Sequence, residues 1–436
     1  MERRETSQLI AWKNSENRKP LLIRGARQVG KTWIMKAFGK QEYEQCVYVN
    51  FESNRRLGTI FETDFDIKRI ILALQIETGI IINPENTLII LDEIQEAQGA
   101  LTSLKYFHEI APEYHIISAG SLLGVALNRQ TSFPVGKVEF LDLHPLSFIE
   151  FLQALGEGPL LQLLESKDWL LIKTFKTKYI QLLKQYYYVG GMPEAVLSFS
   201  KNSDFDKVRD IQKRILESYE QDFSKHAPRE IVPRIRMLWQ SIPAQLAKEN
   251  KKFIYGIIKE GARAKEYELA MSWLIDCGLI YKVNRITKPA IPLKAYEDFG
   301  AFKLFIVDIG LLGAMVNMDV KTLLEGNVLF EEFKGALTEQ FVMQQLITFK
   351  EISTYYWSAE NATAEIDFLI QFSGKIIPVE VKAEENLKAK SLKVFYEKYS
   401  PALTIRTSMS DFRREEWLMN LPLYALSELT AIISKS

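Results

Sequence analysis

The chain has 436 residues, 47% apolar, 25% charged and 11% aromatic, which excludes long disordered stretches and asks for more than one hydrophobic core. Lysine plus arginine equals aspartate plus glutamate at 55 each, so no global positive field draws the chain to nucleic acid or to an anionic membrane, and any such contact must be local. Its two cysteines, Cys46 and Cys277, lie far apart, which excludes a disulfide framework and a structural zinc site; with no apolar leader after Met1 and no run of about 18 apolar residues, a cytoplasmic protein without a membrane partner is expected.

In chain order, Leu21-Leu22-Ile23, Val47-Tyr48-Val49-Asn50-Phe51, Leu88-Ile89-Ile90-Leu91 and His115-Ile116-Ile117-Ser118 are short apolar runs of the buried parallel-strand kind. Helix-periodic stretches, for example residues 32–40 and 101–110, alternate with them and predict an α/β doubly wound parallel sheet over residues 1–150. Residues 151–225 are helix-periodic, interrupted by Val189-Gly190-Gly191-Met192-Pro193, and read as a helical lid or connector. Residues 226–318 read as helices, one over 264–277 stopped by Gly278, followed by strands over 279–286 and 301–307; helices then a hairpin suggest a winged helix. From 319 to 436 the pattern is helix, strands over 366–372 and 376–382, then helix.

Gly25-Ala26-Arg27-Gln28-Val29-Gly30-Lys31-Thr32 fits the phosphate-loop spacing G-x-x-x-x-G-K-[ST], placed after an apolar strand and opening a helix; chance would supply one such match at roughly the 1–2% level. The two glycines let backbone N–H groups turn inward to phosphates, Lys31 supplies a cation to them, and Thr32 offers magnesium a hydroxyl. Leu91-Asp92-Glu93 then ends an apolar strand in two carboxylates, Asp92 for magnesium and Glu93 for the attacking water. The expected ligands are therefore ATP and Mg²⁺. Ser121, after the next strand in Ala119-Gly120-Ser121, is placed to sense the γ-phosphate or is a turn residue, Gln95 is placed to touch the same water or is solvated, and Arg24, Arg27 and Arg129 are the arginine-finger alternatives. His108 and His115 are read as ordinary residues without a catalytic role.

Together with these motifs, Leu143-His144-Pro145-Leu146-Ser147-Phe148, Gly190-Gly191-Met192-Pro193-Glu194 and Phe305-Ile306-Val307-Asp308-Ile309-Gly310-Leu311 give the chain a resemblance to prokaryotic AAA-type ATPases that carry a C-terminal domain of unknown function. The resemblance implies an AAA-like core, a winged-helix middle and a C-terminal α/β restriction-endonuclease-like domain similar to PD-(D/E)xK nucleases, over residues 319–436. Where the family has Gly-Arg, this chain has Gly136-Lys137, and lysine lacks the planar fork a finger uses.

On the C-terminal strands, Glu380 and Lys382 share a face and a hairpin with Gly374-Lys375 at its turn brings Asp367 beside them; Glu339 on the preceding helix would complete three carboxylates for a divalent metal, with Asp367 and Glu380 as its first ligands and Lys382 for the chemistry. That set points to phosphodiester cleavage with DNA or RNA as partner. Lys388, Lys390, Lys393 and Lys398 lie near it, diluted by glutamates, and read as a solvated helix face. Two functions follow: an ATPase that processes nucleic acid, or a nucleotide-dependent switch that acts on a protein partner or its own copies through a non-catalytic platform.

Overall fold

A computed structural model describes residues 2–120, 134, 136–248, 252–325, 331–359, 364–385 and 388–435. The chain groups into two units, one of residues Met1–His144 with Asp276–Leu279, the other of Pro145–Ile275 with Ile280–Ser436.

The first unit is built on five strands, β1 (Leu21–Arg24), β2 (Gln45–Asn50), β3 (Thr87–Asp92), β4 (His115–Ala119) and β5 (Glu139–Asp142), in the order β2-β3-β4-β1-β5. Every neighbouring pair is parallel. All six residues of β3 are buried, so both faces of the sheet are covered, as a parallel sheet requires. One face, with Leu22, Val49, Ile89, Leu91 and Ile116, packs on the helices Ile67–Thr78 and Ala100–Ile110; the helix Lys31–Glu42 packs against β2, β3 and β4. Truncating Ile89 or Ile90 to alanine in such a core costs about 2–5 kcal/mol. Because the strands are parallel, their C-terminal ends lie along one edge, which gathers the phosphate loop, Asp92 and Gly120 there.

The second unit carries an eight-stranded mixed sheet in the order β12-β13-β11-β10-β9-β8-β6-β7. Its strands are β6 (Ile280–Ile286), β7 (Glu297–Ile306), β8 (Ser353–Ser358), β9 (Glu365–Phe372), β10 (Lys375–Val381), β11 (Ile405–Ser408), β12 (Arg413–Arg414) and β13 (Met419–Pro422). The hairpin β6–β7, expected in a separate middle domain, joins this sheet through β6 and β8, with Arg285 opposite Tyr356 and Ile286 opposite Trp357. The reason is a shared core: Ile286, Trp357, Ile366 and Leu369 pack with Leu392 and Phe395 of the helix Lys390–Tyr399. The β9–β10 turn is Ser373-Gly374, both at positive φ, with Lys375 already paired to Phe372; it was expected one residue later.

Asp308 ties the second unit together. It caps the helix Ile309–Met315 through Leu311 N at 3.1 Å, and it accepts from Gly191 N at 2.6 Å and from Gln344 Nε2 at 3.0 Å. Gly190 has φ 71°, and a Cβ there would meet Asp308 Oδ1 at 2.2 Å, so only glycine fits. Leu146 N donates to Gly191 O at 2.7 Å, and Phe148 N to Gln345 Oε1 at 3.0 Å. Three of the motifs behind the resemblance thus meet at one buried carboxylate and the helix Glu331–Leu346. Among the described residues, no helix is long and apolar enough to cross a membrane.

Candidate functional site

The chain leaves β1 at Arg24 and wraps a loop over residues 25–30 before the helix Lys31–Glu42. Gly25 (φ 149°), Gln28 (φ 68°) and Gly30 (φ 97°) give the loop its reversed backbone, and a Cβ on Gly25 would meet Leu143 O at 2.2 Å. Ala26 and Val29 are buried under it and anchor the turn. Lys31 is buried, its Nζ donating to Gly25 O at 2.9 Å and Ala26 O at 2.8 Å. Burial pushes its ammonium down to about 8, against the opposing pull of the Glu93 and Asp92 charges.

Thr32 Oγ1 donates to Asp92 Oδ2 at 2.7 Å, joining the first helical turn to the end of β3. Both are hard oxygen donors, the kind magnesium takes, so the pair fits that ion. Glu93 follows in a left-handed backbone, φ 50° and ψ 46°, and its Oε2 accepts from Gln95 Nε2 at 2.7 Å. A non-glycine residue held there costs on the order of 1–3 kcal/mol, a strain typical of functional positions. Ser118, the next-to-last residue of β4, is buried, and its Oγ has no hydrogen-bond partner among the described residues. Ser121 and Arg129 lie outside the described residues.

Two participants were not read from sequence. Arg3 is buried and donates from Nη1 to Val29 O at 3.0 Å and from Nη2 to His144 O at 2.7 Å, bracing the phosphate loop from behind. Tyr48 donates to Asp92 Oδ2 at 3.0 Å, and burial pushes its hydroxyl up to about 12, so it stays a donor. Its place two residues before the end of β2, directly across from Ile90, is set by strand pairing and not by any motif. Of the finger alternatives, Arg24 forms a bidentate pair with Asp142 at 2.8 and 2.9 Å and stacks 4.2 Å from Phe140, a neighbouring-strand contact. Lys137 pairs with Glu109 at 3.0 Å.

In the second unit, β9 and β10 pair from Phe372 with Lys375 to Phe368 with Val379, so the next two residues, Asp367 and Glu380, face each other. Asp367 Oδ2 accepts from Val381 N at 2.7 Å. Glu380 Oε1 pairs with Lys382 Nζ at 2.7 Å, while its Oε2 is buried with no hydrogen-bond partner among the described residues. Glu339 turns to Lys303, Oε2 to Nζ 3.7 Å, and Lys303 also meets Glu365 Oε1 at 2.5 Å. Among the described residues, no group of three or more His, Cys, Asp or Glu side chains is arranged to hold a metal ion. Lys303, a lone lysine inside the apolar run Ala301-Phe302-Lys303-Leu304-Phe305, was not read from sequence as a partner of Glu339.

Residues 17–152 match the family model described as AAA domain. This segment is an AAA-type P-loop domain. Residues 180–322 match a domain of unknown function (DUF8612), and residues 334–426 another (DUF4143). No curated protein matches the chain. Among solved structures it is similar to the Walker-type ATPase PABY2304 of Pyrococcus abyssi, at 15% identity over 72% of this chain and 95% of that one, with a TM-score of 0.44. It is also similar to the Aeropyrum pernix ORC1 protein in complex with DNA, at 14% identity over 72% of this chain and 90% of that one, TM-score 0.26. Drosophila ORC bound to DNA is similar at 15% identity over 72% and 94%, TM-score 0.25. Likeness at these TM-scores carries neither fold nor function to this chain.

Proposed function

We propose that this chain binds and hydrolyses ATP with magnesium at the phosphate loop, and that its C-terminal sheet is a non-catalytic platform which the nucleotide state controls. The observation that carries the ATPase reading is the Thr32–Asp92 contact at 2.7 Å beside the buried Lys31. Lys31 has a short move to make, from the carbonyls of Gly25 and Ala26 to a phosphate oxygen. The loop amides bind and orient the phosphates, Thr32 and Asp92 hold the metal side, and Glu93 positions and deprotonates the water. Bound magnesium supplies charge neutralisation at the phosphates. Gln95 holds Glu93 in place meanwhile, and Ser118 lies next to the end of β4, the strand between β1, which leads into the loop, and β3, which leads into the carboxylates.

The C-terminal topology of helix, antiparallel β8–β9–β10, helix and parallel β11 supports a restriction-endonuclease-like fold, and helices followed by the β6–β7 hairpin support a winged helix. The platform reading, over nucleic-acid cleavage, is favoured by the engagement of Glu339, Asp367 and Glu380 with protein groups. Purified protein with labelled DNA and RNA and added Mg²⁺ or Mn²⁺ tests it: the expected result is ATP turnover without cleavage, and metal-dependent cleavage lost in Asp367→Asn would overturn it.

A further inference from the structure

We propose that Lys303 is the resident cation of the C-terminal carboxylate cluster, doing with a fixed ammonium what a divalent metal would otherwise do, so that this sheet is assembled and engages its partner without metal. The inference rests on the platform reading above and specifies its chemistry.

Lys303 lies on β7 between Phe302 and Leu304, with 0% of its surface exposed. An ammonium in such a place is tolerated only when carboxylates surround it, because the isolated charge would be stripped of water with no return. Glu365 of β9 at 2.5 Å and Glu339 of the helix Glu331–Leu346 at 3.7 Å supply them. The ring of Tyr356 on β8 closes another side, its centroid 5.0 Å from Nζ, with the electron-rich face a cation prefers. Burial alone would lower the ammonium's pKa, yet the charges of Glu339, Glu365 and Asp367 overcome it and hold the proton above the ordinary lysine range. One side chain thus ties β7 to a helix and to two strands that lie far away in sequence.

The same arrangement excludes a second cation. A divalent ion among these carboxylates would sit within a few ångström of a buried ammonium in a medium that screens poorly, and neither charge could leave without the other's repulsion deciding which stays. Lys303 is covalently anchored, so it stays. Glu380, which follows the last β9–β10 pair as Asp367 precedes it, is paired through Oε1 with its own ammonium, Lys382.

The test uses the full chain without nucleotide and Mn²⁺ as probe, with bound ion read by electron paramagnetic resonance and stability by thermal melting. Wild type is expected to show no Mn²⁺ that Glu339→Gln or Glu380→Gln removes, and no change in Tm. Lys303→Met leaves the carboxylates uncompensated; it is expected to melt about 10 °C lower, or to fold only with Mn²⁺ present, and to bind one ion that restores stability. Two results would overturn the proposal: a stabilising Mn²⁺ in wild type that Glu339→Gln or Glu380→Gln abolishes, or a Lys303→Met protein with wild-type stability and no bound Mn²⁺. Should Lys303→Met not fold under either condition, the wild-type arm decides. Cleavage of nucleic acid without any such Mn²⁺ site would sink the platform reading and leave the role of Lys303 standing.

Discussion

Thr32 Oγ1 donates to Asp92 Oδ2 at 2.7 Å, so a side-chain hydrogen bond joins the first turn of the helix that follows the phosphate loop to the last residue of β3. Tyr48 donates to the same Asp92 oxygen at 3.0 Å. If this pair is the metal side of the nucleotide site, Thr32→Ala should raise the Mg²⁺ concentration needed for half-maximal ATP turnover by about tenfold, equivalent to one lost charge-assisted contact. A magnesium titration of turnover checks this, and an unchanged midpoint would make the contact merely structural.

Lys31 gives the site a pH dependence. Its folded-state pKa is depressed, to about 8, below the ordinary lysine value, so the protonated form is disfavoured by folding below that pH and the penalty is relieved as pH rises from about 8 to the unfolded value. ATP needs the protonated form. Nucleotide affinity should therefore fall as pH rises above about 8, and binding near pH 8 should take up a proton, seen as a buffer-dependent heat in calorimetry. Lys31→Met should abolish tight ATP binding without loss of thermal stability at pH 7; a large drop in Tm would contradict this account of the charge.

Asp308 is surrounded by donors: Gly191 N, Leu311 N and Gln344 Nε2. Asp308→Asn turns one oxygen into a donor that faces another donor, and one mismatched buried group costs about 1–3 kcal/mol. Asp308→Ala, which orphans all three donors, should be worse. Denaturant unfolding of the full chain should show both losses in the second unit's transition while ATP binding by the folded protein persists. Equal stability of wild type and Asp308→Ala would remove the hub assigned to this residue.

His115 contributes to acid sensitivity. Burial first, then the charges of Arg18 and Lys13, push its imidazole down to about 4, and Nδ1 meets Tyr43 Oη at 2.6 Å. A depressed pKa means the neutral form is favoured by folding, so the contribution is complete above the unfolded value and is lost as pH falls from about 6.5 to 4. Glu139 and Glu42 lie close to Arg18 and Tyr43 and temper the local positive charge. Tm measured from pH 7 to pH 4 should fall less steeply in His115→Phe than in wild type; parallel curves would dismiss the histidine.

The candidate site was legible because its residues are local in sequence: six loop residues, Lys31 and Thr32 are contiguous, and Asp92 and Glu93 end an apolar run. Four of the five strands of the first sheet appeared within a residue or two of their observed ends for the same reason, and β5 (Glu139–Asp142) was not read. What escaped the sequence was set by long-range pairing. Tyr48 reaches Asp92 only because β2 lies beside β3, and Arg3 reaches Val29 from a segment that carries no motif. The pairing of the β6–β7 hairpin with β8 was not legible because nothing near the hairpin in sequence announces that strand. At the C-terminal cluster the facing of Asp367 and Glu380 followed from strand periodicity, whereas Lys303, more than sixty residues upstream of Asp367, did not.

The most direct measurement of the central claim is ATP binding and single-turnover hydrolysis by wild type and Glu93→Gln in the presence of magnesium. Glu93 sits one residue past Asp92 and is held by Gln95, so its loss should leave the phosphate loop and the Thr32–Asp92 pair intact. Glu93→Gln should bind ATP within a few-fold of wild type and hydrolyse it slower by roughly 10²-fold or more. Turnover equal to wild type in Glu93→Gln, or no ATP binding by wild type, would contradict the central claim.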